Sequence, residues 1–177
     1  MTNRARTGIF VAVALLTLAS MALIGVVRGI GPTQSLTIAN CQPSRPAAAR
    51  VQVSLSDGGD MMGGSAMMVS LSADVTAVPP GRVTLIATNY GRLNHELLIL
   101  SVPADGPGTR PVGPNGKIDE SASLGEASRS CGDGVGNGIS PGTRSWVTVN
   151  LMPGTYELLC DVPWHYANGM FTTITVR

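Results

Sequence analysis

The chain of 177 residues is 44% hydrophobic, 13% charged and 4% aromatic, and it carries 22 Gly and 12 Pro. It is too apolar for a disordered protein and too short for two ordinary domains. Twelve Lys and Arg against eleven Asp and Glu leave a net charge of +1, so no basic field gathers nucleic acid, which is excluded as a default partner.

The first element is an apolar run, Gly8 to Val27, without a single charge. As a helix it is long enough for the roughly 30 Å hydrocarbon core of a bilayer. Arg4 and Arg6 precede the run, which leaves the N-terminus in the cytoplasm and places the body outside. Residues 1–28 therefore read as a signal peptide or an N-terminal membrane anchor. Ser20-x-Ala22 offers the small residues of a cleavage site, yet the apolar run continues beyond it, and both outcomes stay open.

Residues 29–65 mix Pro, Ser, Arg, Gly and Asp and read as a flexible tether, with a candidate edge strand over Arg50 to Leu55. Met61, Met62, Met67 and Met68 sit near its end. Thioethers suit Cu(I), although Met67 and Met68 also read as the start of a core strand, with the others as flexible gap fillers.

Regular patterning begins at residue 66. Met68 to Val75 alternates; Arg82 to Thr88 and His95 to Val102, separated by the turn NYGRL, predict a hairpin. Residues 103–142 are rich in Gly and Pro and read as a long loop, with a short helix near Asp119 to Ala127. Thr143 to Leu151, Tyr156 to Cys160 and Met170 to Val176 supply the remaining strands. Short strands with turns between them predict an all-β, two-sheet sandwich over residues 66–177.

The chemistry concentrates between the last two strands, in Cys160-Asp-Val-Pro-Trp-His165-Tyr-Ala-Asn-Gly-Met170. A thiolate, an imidazole and a thioether on one short loop select copper over magnesium or calcium, and a second imidazole completes the blue-copper set. The chain has two histidines, and the other, His95, opens the strand after the earlier turn. Singly, a buried Cys is usually inert and a Met before Phe171 is usually core. Jointly, the four residues are better explained as ligands.

The stretch PGTYELLCDVPWHYANGM, with NHELLIL upstream, resembles the cupredoxins, in particular the sulfocyanin, rusticyanin and auracyanin group, over about residues 66–177. The resemblance implies a Greek-key β-sandwich holding one type 1 copper ion through His95, Cys160 and His165, with Met170 at longer range. Two departures stand out. Trp164 occupies a position where relatives often carry Gly, and Glu96 follows the first histidine in place of the usual Asn, Asp or Ser.

The expected function is single-electron transfer by Cu(I)/Cu(II) cycling, with membrane-associated redox proteins as partners, on the extracytoplasmic face or in the periplasm or outside the cell. The alternative is copper tolerance or delivery, with the methionine segment capturing Cu(I). No Ser-His-Asp set, phosphate loop or third histidine for further copper centres is present, so the chain reads as a carrier and not an enzyme. Cys41 and Cys131 are left as an even pair, expected to form a disulfide in an oxidising compartment.

Overall fold

The computed structural model describes residues 41–58 and 68–177. The apolar segment Gly8 to Val27 and Met61, Met62 and Met67 lie outside the described residues. Among those described, no helix is long and apolar enough to cross a membrane.

Ten strands are present among the described residues: β1 (Ala49–Asp57), β2 (Val69–Ala73), β3 (Ala77–Val78), β4 (Gly81–Asn89), β5 (Leu97–Ser101), β6 (Gly125–Ala127), β7 (Gly132–Asp133), β8 (Arg144–Leu151), β9 (Gly154–Leu159) and β10 (Phe171–Val176). They form two five-stranded sheets, ordered β2-β1-β4-β8-β7 and β3-β10-β9-β5-β6. One core joins them: Val51, Val53 and Leu55 of β1 and Val83 and Leu85 of β4 pack with Leu97 and Ile99 of β5, Leu158 of β9 and Ile174 of β10. The fold is the all-β sandwich that strand periodicity predicts.

Three local expectations are corrected. The candidate edge strand in the tether is an interior strand, because β1 pairs antiparallel with β2 on one side and parallel with β4 on the other. Its alternating Val51, Val53 and Leu55 are fully buried, so the sandwich includes residues that the sequence reading leaves in the tether.

The expected hairpin is also absent: β4 belongs to one sheet and β5 to the other. Asn89, at the end of β4, directs the crossing. Its buried Nδ2 donates to the carbonyls of Leu93 and Ile139, both at 2.7 Å, and its Oδ1 accepts from the Gly91 amide at 2.8 Å. The turn is thereby tied to a third segment instead of folding back on β4.

The short helix expected near residues 119–127 is replaced by turns and β6. Leu124 N–H donates to the Ile99 carbonyl, and β6 then takes the edge of β5 through the pair Leu97 and Ala127. An unpaired edge beside the segment outcompetes a marginal helix.

The long Gly- and Pro-rich loop has a structural task. Ile118 and Val112 from it, with Tyr166 and Phe171, cover Leu98, Leu100 and Leu159 on the outer face of the second sheet. This second layer explains why β5 is apolar on both faces. The loop is pinned by Arg110, whose Nε donates to the fully buried Glu157 at 2.7 Å, while Gly108 N–H and the Tyr166 hydroxyl donate to the other carboxylate oxygen. A disulfide joins Cys41 to Cys131, closing a span of 90 residues.

Candidate metal centre

The strand ends at one pole of the sandwich build the site. His95 lies just before β5, held by reciprocal backbone hydrogen bonds with Ile139. Cys160 follows the last residue of β9. The loop after it turns through a single 3-10 turn, Tyr166–Asn168, ended by Gly169 in the left-handed region at φ 87°. Two hydrogen bonds close the loop: Cys160 N–H donates to the Met170 carbonyl and Met170 N–H to that of His165, both at 3.1 Å.

His95, Cys160 and His165 converge and are buried. The two Nδ1 atoms are 3.2 Å apart, and Cys160 Sγ lies 3.8 Å from that of His95 and 3.4 Å from that of His165. A point equidistant from these three corners lies about 2.0 Å from each, close to the ~2.0–2.3 Å of transition-metal bonds to imidazole nitrogen and thiolate sulfur. Two imidazoles and a thiolate at this spacing fit a type 1 copper ion. Met170 is fully buried in the same core cluster as Cys160, and its backbone is bonded to Cys160 and to His165.

The surroundings prepare the donors. Burial pushes the Cys160 thiol up to about 12, against the pull of the Glu96 and Val162 amides. Glu96 N–H reaches Sγ at 3.2 Å, so the residue after the first histidine makes its cross-link to the thiolate through the backbone. Its side chain instead faces Lys117, whose Nζ lies 3.8 Å from Glu96 Oε2 and 3.6 Å from Asp161 Oδ2. Lys117 thus bridges the residues that follow His95 and Cys160. Burial, reinforced by the neighbouring His95, lowers His165 to about 4. Burial also lowers His95, opposed by Asp57.

Asp57, missed in the sequence, is the clearest addition. Its Oδ1 accepts from His95 Nε2 at 3.0 Å and from the amides of Arg92 and Leu93 at 2.7 and 3.0 Å. Burial works to raise its pKa, but the Leu93, Arg92 and His95 donors outweigh it and bring the pKa below the ordinary value. The available signal was an acidic residue ending an alternating run, and only the β1–β4 pairing makes it meaningful.

Trp164 adopts φ 70°, in the left-handed region that favours Gly. Its N–H donates to the Gly116 carbonyl at 2.7 Å, and a Cβ on Gly116 would meet the indole at 2.9 Å. The long loop and the ligand loop are therefore fitted to each other. Trp164 is 50% exposed while the adjacent His165 is 2% exposed.

A two-sheet β-sandwich with a buried His-Cys-His cluster at one pole defines the cupredoxins, the class of blue copper proteins with one type 1 copper. Residues 67–177 match the family model described as the Sulfocyanin (SoxE) domain, and the chain belongs to that family. Similar solved structures include reduced auracyanin from Roseiflexus castenholzii, 21% identical over 75% of this chain and 99% of that one, TM-score 0.45. Another is rusticyanin from Thiobacillus ferrooxidans, 22% identical over 74% and 79%, TM-score 0.44. Auracyanin B is 20% identical over 80% and 96%, TM-score 0.47. Among curated proteins none matches.

Copper uptake carries a pH signature. With the thiol at about 12 and His165 at about 4, the copper-free site at neutral pH holds one thiol proton and a neutral His165 imidazole. Copper bound through the Cys160 thiolate would displace that proton. The apparent Cu(I) affinity is expected to rise about tenfold per pH unit from about pH 7 to 10, with one proton released per copper. Competition against a chromophoric Cu(I) chelator measures the slope; a flat profile would show that Cys160 is not the group displaced.

Proposed function

We propose that the protein is an exported carrier of single electrons, cycling one copper ion between Cu(I) and Cu(II), with His95, Cys160 and His165 as the residues that would hold it and Met170 as a weaker donor. The carrying observation is the convergence of two Nδ1 atoms and one Sγ, all buried, on a common point. Cys160 would supply the thiolate, the two imidazoles would be the other strong donors, and the Met170 thioether would tune the potential.

Hydrogen bonds to the candidate ligands, Glu96 N–H to Cys160 Sγ and His95 Nε2–H to Asp57, would hold the donors in one arrangement in both oxidation states. Little then moves when an electron arrives or leaves. Burial of Met170 in the same cluster as Cys160 supports its role as the weaker donor. The apolar run before residue 28 supports export, as a cleaved signal or as an anchor with the sandwich on the extracytoplasmic side. Redox proteins at that face are the partners. Half-exposed Trp164, next to buried His165, is the point of closest approach for them.

Visible and electron paramagnetic resonance spectra of the full chain loaded with copper test this reading. The oxidised protein is expected to show an intense thiolate-to-copper band and narrow copper hyperfine splitting, and one electron per copper should bleach the band reversibly. A colourless protein that binds only Cu(I) would overturn electron carriage in favour of copper handling.

A further inference from the structure

The acceptor on His95 is a carboxylate, brought from β1 rather than from the loop that carries the histidine. Asp57 ends β1, where it pairs with Val69 of β2, two residues beyond the last β1–β4 pair, Leu55 and Asn89. Its carboxylate is 10% exposed and His95 is fully buried. The turn after β4 encloses it, since a Cβ on Gly91 would collide with Asp57 Oδ1. That one oxygen receives the Arg92 and Leu93 amides and His95 Nε2. Both the loop and the imidazole are thus registered against the sheet.

We propose that Asp57 is a positioning residue of the copper site, holding His95 in the tautomer that presents Nδ1 and lowering the reduction potential through its carboxylate charge. An ionised carboxylate only accepts hydrogen bonds, so Nε2 must carry the proton and Nδ1 the lone pair. Nδ1 is the His95 atom that faces Cys160 and His165. A negative charge bonded to the far side of the ring makes the imidazole a stronger donor and stabilises the more highly charged Cu(II). The potential part rests on the copper-site reading above; the tautomer part does not.

Asp57→Asn tests both parts because it keeps an acceptor oxygen and removes the charge. At a fixed poise, the Cu(II):Cu(I) ratio is expected to fall about tenfold, which for one electron is 59 mV toward higher potential. Asp57→Glu, which keeps the charge, should stay near the wild type; if the Asn variant folds poorly, the tautomer of His95 in the wild type carries the test. Asp74→Asn removes a carboxylate that accepts the Gln52 amide on the same sheet and should leave the ratio unchanged.

Nitrogen NMR of the copper-free full chain should find His95 protonated at Nε2, and Asp57→Ala should mix the tautomers. A ratio unchanged within twofold in Asp57→Asn, or His95 protonated at Nδ1 in the wild type, overturns the proposal. A wild type lacking a type 1 spectrum overturns the copper-site reading instead, a failure told apart because the NMR measurement needs no metal.

Discussion

Cys160→Ser is expected to abolish the visible band of the copper-loaded protein outright while leaving the sandwich folded. The colour depends on a thiolate bonded to Cu(II), and a serine hydroxyl is too weak an acid and too hard a donor to replace it. The structural change is small. Cys160 is fully buried, and the Glu96 amide that reaches Sγ at 3.2 Å can donate to Oγ in its place. A satisfied buried hydroxyl costs about 1 kcal/mol of stability or less.

The variant therefore separates ligation from folding. The other two cysteines are joined in the disulfide, so no thiol remains to substitute. Absorption spectra at matched copper content, with far-ultraviolet circular dichroism as the control, read the result. Persistence of the band would place the thiolate elsewhere and remove the ligand assignment. Loss of the band together with the fold would show that Sγ contributes packing that the hydroxyl cannot.

The ligand loop was legible because its chemistry is local. Cys160, His165 and Met170 lie within one loop between two strands, so their spacing carries the proposed donor set without any knowledge of pairing. His95 was reachable for a simpler reason: it is the other of two histidines in the chain. Asp57 was not, because it meets His95 only through β1 lying parallel to β4, and parallel neighbours leave no turn in the sequence to announce them. Alternation at Val51, Val53 and Leu55 shows that one face is buried, yet the same alternation serves an edge or an interior strand.

The β4–β5 connection failed for a related reason. Two strands and a short turn normally form a hairpin, and only the buried Asn89 side chain, bonded to Leu93 and Ile139, sends the chain to the other sheet. The long loop was read as featureless since Val112 and Ile118 are too sparse to show a period. Their destination was written instead on β5, whose Leu98 and Leu100 face outward and need a cover. Apolar residues on both faces of a strand are thus a statement about a layer supplied from elsewhere in the chain.

Removing the disulfide with Cys41→Ala and Cys131→Ala together should cost about 4–5 kcal/mol, since a closed span of 90 residues restricts the unfolded chain strongly. For a domain of this size that lowers Tm by roughly 10–20 °C. The loss should also reach the metal site by a short route. Cys131 N–H donates to the Arg144 carbonyl at 2.7 Å, and the same loop continues to Ile139, whose backbone exchanges hydrogen bonds with His95. Freed of Cys41, the loop from Ser128 to Ser140 keeps the buried Ile139 side chain and hydrogen bonds, among them Ser130 Oγ to the Gly138 carbonyl and Gly136 N–H to Ser128 Oγ. Amide exchange at His95 and Ile139 should then accelerate more than at Val83 or Leu85 in the middle of β4. Thermal melts of the copper-loaded and copper-free double variant check the first part and hydrogen exchange the second. Copper should narrow the exchange difference, because an ion held by His95 and Cys160 ties β5 to β9 at the pole that the loop no longer secures. An unchanged Tm would mean that segment 41–48 is held to the sheet by contacts such as Ala47 N–H to Thr84 Oγ1 strongly enough to make the covalent closure redundant.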